Sequence, residues 1–151
     1  MSREVGSPVA GLVVALSEVP DPVFSQAMVG PGAAVKPRAG QQDALAPVAG
    51  TVSTLHPHAF VITASDGTGV LVHLGIDTVK LHGDGFRLHV SEGDSVAAGQ
   101  LISSWDPAAV EEKGLSSVCP VVVLDAAPEV LGDVREGCPV VAGDPLFSVH
   151  R

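Results

Sequence analysis

A chain of 151 residues has room for one domain with a real hydrophobic core and too little length for two ordinary ones. Hydrophobic residues make up 46% but aromatics only 3%, with no Tyr, so Val, Leu, Ile and Ala must build that core. A net charge of -9, from 8 basic and 17 acidic residues, repels phosphate backbones and anionic lipid, which argues against nucleic acid and for a basic protein partner.

The 17 Gly and 12 Pro are dispersed, which breaks up long helices and favours many short strands and turns. Cys119 and Cys138 have neither CxxC nor metal-knuckle spacing and are expected as reduced packing residues. The start, Met1-Ser2-Arg3-Glu4-Val5, lacks a signal-peptide pattern, and no apolar run reaches the roughly 18 residues of a membrane span. These features predict one cytoplasmic domain over residues 1–151, with residues 1–6 as a short N-terminal arm and no membrane insertion.

In chain order, Ser7-Pro8-Val9-Ala10-Gly11 followed by Leu12-Val13-Val14 returns as Ala46-Pro47-Val48-Ala49-Gly50 followed by Thr51-Val52-Ser53. Each copy reads as a Pro-opened edge, a Gly turn and a strand. A second echo pairs residues 93–102 with residues 137–147 through a shared G-x-x-V-x-A-G frame, a glycine-closed turn leading into a strand. Two copies are too few for a solenoid and imply a sandwich or barrel with pseudo-symmetry.

Asp21-Pro22 opens a short helix expected to stop at Gly30-Pro31-Gly32, with Phe24, Met28 and Val29 as a small apolar stripe. Asp106-Pro107 opens a second, of about two turns, closed by Gly114. Residues 51 to 64 read as a strand, a turn at His56-Pro57-His58 and a second strand, on which alternation groups His58 with Phe60 and Ile62. Ser65-Asp66-Gly67-Thr68-Gly69 then has the length of a hairpin turn.

Residues 70 to 74 form the strand that matters most. Val70, Val72 and Leu74 point one way and Leu71 and His73 the other, so an imidazole faces away from the core-forming set. Antiparallel pairing about residues 66 and 67 sets position 58 opposite 74 to 75, which brings His58 and His73 together. Gly83-Asp84-Gly85 is read as a turn between two short strands, with His82 and His89 solvated on either side. Cys119 to Leu124 reads as a buried strand, while residues 126 to 136 fit either a helical turn or a loop.

Two adjacent imidazoles suit two chemistries. With a pKa of about 6.5, one can accept a phosphoryl group on a ring nitrogen while the other donates a hydrogen bond to its oxygens. The same pair, with His56 and a carboxylate such as Asp77, also suits a tetrahedral zinc site. A β-fold zinc hydrolase uses H-x-x-x-D and H-x-H elements, but in the reverse chain order. A biotinyl- or lipoyl-type carrier needs an exposed lysine at a hairpin tip, and neither Lys80 nor Lys113 has that setting.

The segments just quoted, above all Val72-His73-Leu74-Gly75-Ile76-Asp77-Thr78-Val79, with His58-Ala59-Phe60 and Pro20-Asp21-Pro22-Val23-Phe24, resemble the glucose-family IIA component of the bacterial phosphoenolpyruvate-dependent sugar phosphotransferase system. The resemblance implies an antiparallel β-sandwich or barrel-sandwich hybrid with a few short helices. It implies that His73 accepts phosphate on Nε2 from the phosphocarrier protein HPr and donates it to the IIB domain of a sugar permease. His58 would stabilise the phosphoryl group and Asp77 would modulate local proton affinity, with Phe24, Met28, Val29, Leu71 and Val79 forming an apolar docking rim. No cofactor is required, although zinc at His58 and His73 is compatible with a partner interface. The protein would work in the cytoplasm, peripheral to the inner membrane through the permease. One departure stands out: His56 occupies a position where the family would carry a small polar residue.

Overall fold

A computed structural model describes residues 2–150 of the chain. Fourteen strands dominate the described residues, as the glycine and proline punctuation predicts. Strands β1 (Ser2–Gly6), β2 (Gly11–Ala15), β3 (Gly32–Pro37), β4 (Gln42–Leu45) and β5 (Gly50–His56) come first. They are followed by β6 (Ala59–Thr63), β7 (Gly69–His73), β8 (Phe86–Leu88), β9 (Ser95–Val96) and β10 (Leu101–Trp105). The last four are β11 (Cys119–Val123), β12 (Leu131–Gly132), β13 (Pro139–Val140) and β14 (Pro145–His150). An eight-stranded sheet runs in the order β13-β2-β3-β11-β7-β6-β5-β9, flanked by two three-stranded sheets, β1-β14-β12 and β4-β10-β8. All the pairings are antiparallel, and the main core lies between the sheets, centred on Trp105, Phe60, Phe147 and a shell of Val, Leu and Ile.

The two sequence echoes turn out to be halves of one repeated unit. In the first half Ser7 N donates to Asp144 O at 2.7 Å and Gly143 N returns to Ser7 O at 2.8 Å. In the second half Ala46 N donates to Gln100 O at 2.8 Å and Gly99 N returns to Ala46 O at 2.9 Å. The halves are laced together symmetrically, Gly6 N to Pro47 O and Leu45 N to Pro8 O, both at 2.9 Å. The large sheet accordingly reads the same from either end, with β13-β2-β3-β11 on one side matching β9-β5-β6-β7 on the other.

The glycines opening β2 and β5 have a different purpose from the turn predicted for them. A Cβ on Gly11 would lie 2.0 Å from Lys36 O, and one on Gly50 would lie 2.2 Å from Thr63 O. Neither has a positive φ. Their requirement is close approach of two backbones, the situation in which only glycine fits.

One turn of helix, α1 (Pro22–Ser25), and the longer α2 (Pro107–Glu112) are the two α-helices of the described residues. Asp21 and Asp106 cap them, accepting from Val23 N at 2.9 Å and Ala108 N at 3.0 Å. The first helix ends well before Gly30, because Ala27 already adopts a left-handed φ of 52°. Other expectations are also corrected. Residues 2–6 are not an arm but strand β1, whose Val5 is fully buried once paired with β14. Thr78–Leu81 before the Gly83-Asp84-Gly85 turn is a 3-10 helix rather than a strand. Residues 128–132 contain a 3-10 turn and the two-residue β12. Cys119 is buried as expected, whereas Cys138 is exposed; both are free thiols. No helix among the described residues is long and apolar enough to cross a membrane.

Strand β11 is buried on both faces, which explains its unbroken apolar run. Cys119, Val121 and Val123 enter the main core, while Val122 belongs to a second cluster with Val14, Leu16, Val19, Phe24, Ala34, Ile76 and Val118. This second cluster forms because the segment after β2 crosses the outer face of the large sheet and covers it. Gly11→Ala and Gly50→Ala should each destabilise the fold by roughly 2 kcal/mol, read as a fall in the thermal or denaturant midpoint. Gly6→Ala, whose added Cβ meets nothing closer than 3.5 Å, should change it far less.

Candidate functional site

The β6–β7 hairpin carries the two histidines together. Its register sets Ala59 opposite His73 and Phe60 opposite Val72, and Leu74 N donates to His58 O at 2.7 Å. Position 58 therefore lies opposite 74, as the hairpin count predicts. The ring centroids of His58 and His73 are 5.2 Å apart at 68°. Val70, Val72 and Leu74 are fully buried beneath, while Leu71 and His73 are half-buried on the outer side.

His58 reaches that side only because it is not in the strand. Alternation groups it with Phe60 and Ile62, both buried in the main core. In the fold, β5 and β6 close as a tight hairpin, His56 pairing with Ala59, so Pro57 and His58 form the turn itself. Released from the two-residue period, the His58 ring lies beside His73, on the opposite side from Phe60.

His73 is fixed from both ends. Its Nδ1 is hydrogen-bonded to the carbonyl oxygen of Gly75. A carbonyl only accepts, so Nδ1 carries the proton and Nε2 keeps its lone pair. Gly75 can present that carbonyl because it adopts φ +81°, and a Cβ there would come within 2.7 Å of Thr78 Cγ2 and 2.9 Å of Ser116 O. Ile76 N donates to Ser116 O at 2.9 Å and Thr78 Oγ1 to Leu74 O at 2.9 Å, which lock the loop after β7. On its other side His73 meets the ring of Phe24, 5.4 Å away, held there by the outer cluster.

Burial favours the neutral form of both imidazoles. Burial lowers the pKa of His73, opposed in turn by the Gly75 carbonyl and by the carboxylates of Asp21 and Asp77. Burial also pushes His58 down to about 4, with further lowering from His73 and His56. Asp77 itself is exposed, with a left-handed φ of 60° at the head of the 3-10 helix.

The segment that brings Phe24 to His73 and the 3-10 helix after β7 carry exposed apolar side chains. Met28 is 68% exposed and Val79 59%, whereas Phe24 is buried and Val29 and Leu71 pack against the same outer cluster. Leu71 is thus mainly floor rather than rim. Two residues near the site were missed by sequence reasoning. Val23, 41% exposed on the single turn of α1, adds to the apolar surface. Asp21 was recognised only as a helix cap; its influence on His73 depends on the crossing of the segment that carries it, and no linear spacing signals that. The glycine two residues beyond the histidine, Gly75, is a readable sign of a carbonyl turned back. His82 and His89 are exposed as expected, with His89 Nε2 2.8 Å from Ser104 Oγ.

The tetrahedral zinc arrangement does not assemble. Among the described residues, no group of three or more His, Cys, Asp or Glu side chains is placed to hold a metal ion. A catalytic zinc centre takes three protein ligands and an open position. The donor set of His56, His58, His73 and Asp77 therefore does not fit a zinc hydrolase.

Comparison with known proteins gives the same family from three directions. Residues 3–128 match the family described as phosphoenolpyruvate-dependent sugar phosphotransferase system, EIIA 1. The chain is 43% identical over 121 residues to the PTS system glucose-specific EIIA component of Oceanobacillus iheyensis, covering 79% of this chain and 72% of that protein. It is 41% identical over 138 residues to the PTS system beta-glucoside-specific EIIBCA component of Bacillus subtilis, covering 89% of this chain but only 22% of that longer protein. The solved structure of glucose permease IIA from Mycoplasma capricolum superposes with a TM-score of 0.90 at 34% identity, over 98% of this chain and 96% of that one. A β-sandwich with short helices, a fixed histidine beside a second one and these four matches place the chain in the EIIA 1 family of the phosphoenolpyruvate-dependent sugar phosphotransferase system.

Proposed function

We propose that this single domain is a phosphoryl carrier in sugar uptake, with His73 taking the phosphoryl group from HPr and giving it to a cysteine of the IIB domain of a sugar permease. The observation that carries this reading is the Nδ1 contact to Gly75, which leaves the Nε2 lone pair of His73 free beside His58. A relative in which EIIA is one part of an EIIBCA chain supports a permease partner. The protein would then act in the cytoplasm, at the inner membrane only through that permease.

Uptake is an in-line displacement. The Nε2 lone pair forms a bond to phosphorus as the nitrogen–phosphorus bond in HPr breaks, and Nδ1 keeps its proton on the Gly75 carbonyl. Onward transfer reverses this, a thiolate sulfur forming the new bond while Nε2 recovers its pair. Such transfers depend on positioning and on stabilising charge on the phosphoryl oxygens. Neutral His58 has one N–H to donate to them. A hydrogen bond to an ionised acceptor is stronger than one to a neutral acceptor, so this bond is strongest where charge on the phosphoryl oxygens is greatest. Asp21 and Asp77 raise the basicity of His73 before transfer and repel the oxygens after it, which keeps the phosphoryl group ready to leave.

Met28 and Val23, on the segment that brings Phe24 to His73, and Val79, on the 3-10 helix after β7, are exposed apolar side chains suited to exclude water when either partner docks. The relay asks for no cofactor. A zinc ion at a partner interface would find two ligands in His58 and His73 and need the remainder from the partner.

With phosphoenolpyruvate, enzyme I and HPr, mass spectrometry should find one phosphoryl group on His73. His73→Gln should abolish it, and His58→Gln should retain uptake but slow onward transfer to the IIB domain by about 100-fold, the scale of one lost stabilising donor. An unmodified wild-type protein alongside charged HPr would contradict the assignment. The pH response is a second test. Because His73 is held below its ordinary 6.5, uptake should persist as pH falls through 6.5, where a free imidazole is already half protonated. The unfolded chain takes up protons at His58 first, so stability should fall as pH drops from 6.5 towards about 4. His58→Gln should flatten that slope in thermal melts.

A further inference from the structure

We propose that His56 is a positioning residue of the relay, its ring stacked on His58 so that His58 is held at its working angle to His73. This rests on the phosphoryl-carrier reading of the site and assigns a part to the histidine that stacks on His58, which that reading leaves unused.

His56 is the last residue of β5, and its pairing with Ala59 leaves Pro57 and His58 as the two-residue turn. The His56 and His58 rings lie 5.7 Å apart and only 24° from parallel. His73 is anchored through Nδ1 to Gly75 and His89 through Nε2 to Ser104. His58 has no such anchor among the hydrogen bonds of the described residues; its ring has His56 against it on one hand and His73 on the other. A ring in a turn retains rotational freedom about χ1 and χ2, and freedom at a donor that must meet a phosphoryl oxygen costs rate. Stacking on His56 removes part of that freedom without consuming either His58 nitrogen, which a hydrogen-bonding anchor would do.

The position of His56 also separates this role from a structural one. It is exposed, while His58 is half-buried, so replacing it leaves the core intact. It does not touch the reacting nitrogen of the present arrangement directly, and its influence passes through the neighbouring ring. Its proximity also contributes to the low proton affinity of His58, which keeps that ring neutral.

The test compares His56→Ala with His56→Phe, the second keeping an aromatic face and losing both nitrogens. Transfer rates from phospho-HPr and onward to the IIB domain are measured by rapid quench, with KM for each partner. His56→Ala should slow onward transfer about three- to tenfold, the range of one aromatic pair, with KM unchanged. His56→Phe should restore the wild-type rate. In parallel, the His58 ring-proton resonances should lose a ring-current shift in His56→Ala and keep one in His56→Phe. Wild-type rates in His56→Ala, or equal slowing in both variants, would overturn the proposal, as would unchanged His58 resonances in His56→Ala. If wild-type protein is never phosphorylated by charged HPr, the carrier reading fails, and the resonance comparison still decides whether His56 holds His58.

Discussion

The register of the β6–β7 hairpin is the constraint on which the site depends. Ala59 faces His73, and the main-chain bond from Leu74 to His58 closes the same ladder beyond the strand end. Burial holds that register: Phe60, Ile62, Val70 and Val72 all fill the main core, and a slip of one residue would turn every one of them to the outer face. The energy that brings the two imidazoles together is therefore mostly apolar burial on the other side of the sheet.

The outer face solves a different problem. A reactive histidine needs enough burial to stay neutral and enough exposure to meet a partner. The segment carrying α1 covers Val14, Ala34 and Val122 and brings Phe24 against His73, so one side of the imidazole is dry. The loop after β7 supplies the opposite requirement through the Gly75 carbonyl, which fixes the tautomer, and the carboxylate of Asp77, which together with that of Asp21 on the covering segment opposes desolvation. Met28 and Val79, on these same two segments, remain exposed.

The internal repeat gives the scaffold its economy and also shows how the site departs from it. The two halves use equivalent turns, equivalent strand-opening glycines and matching bonds to build a symmetrical sheet. The histidines belong to one half alone. On the other half the central strand β11 is apolar throughout and buried on both faces. Pseudo-symmetry thus fixes the frame, and the asymmetric choice of residues on β6, β7 and the turn before them adds the chemistry.

Short-range rules made much of this legible. Strand alternation placed His73 opposite the core set, hairpin counting placed His58 across from Leu74, Asp-Pro openings marked both helices, and repeated Gly frames announced the pseudo-symmetry. These succeed because covalent geometry and local hydrogen bonding act within a few residues. What failed, failed where distant chain decides. The face of His58 was misjudged because a two-residue turn overrides strand period. The arm became β1 because β14 lies waiting to pair with it, and Asp21 gained its influence on His73 because a covering segment crosses the sheet. The amino-acid order alone determined the strand-rich architecture and the candidate pair of imidazoles. Only the tertiary structure decided which nitrogen is free and what surrounds it, since desolvation and through-space charge depend on neighbours that the linear chain keeps far apart.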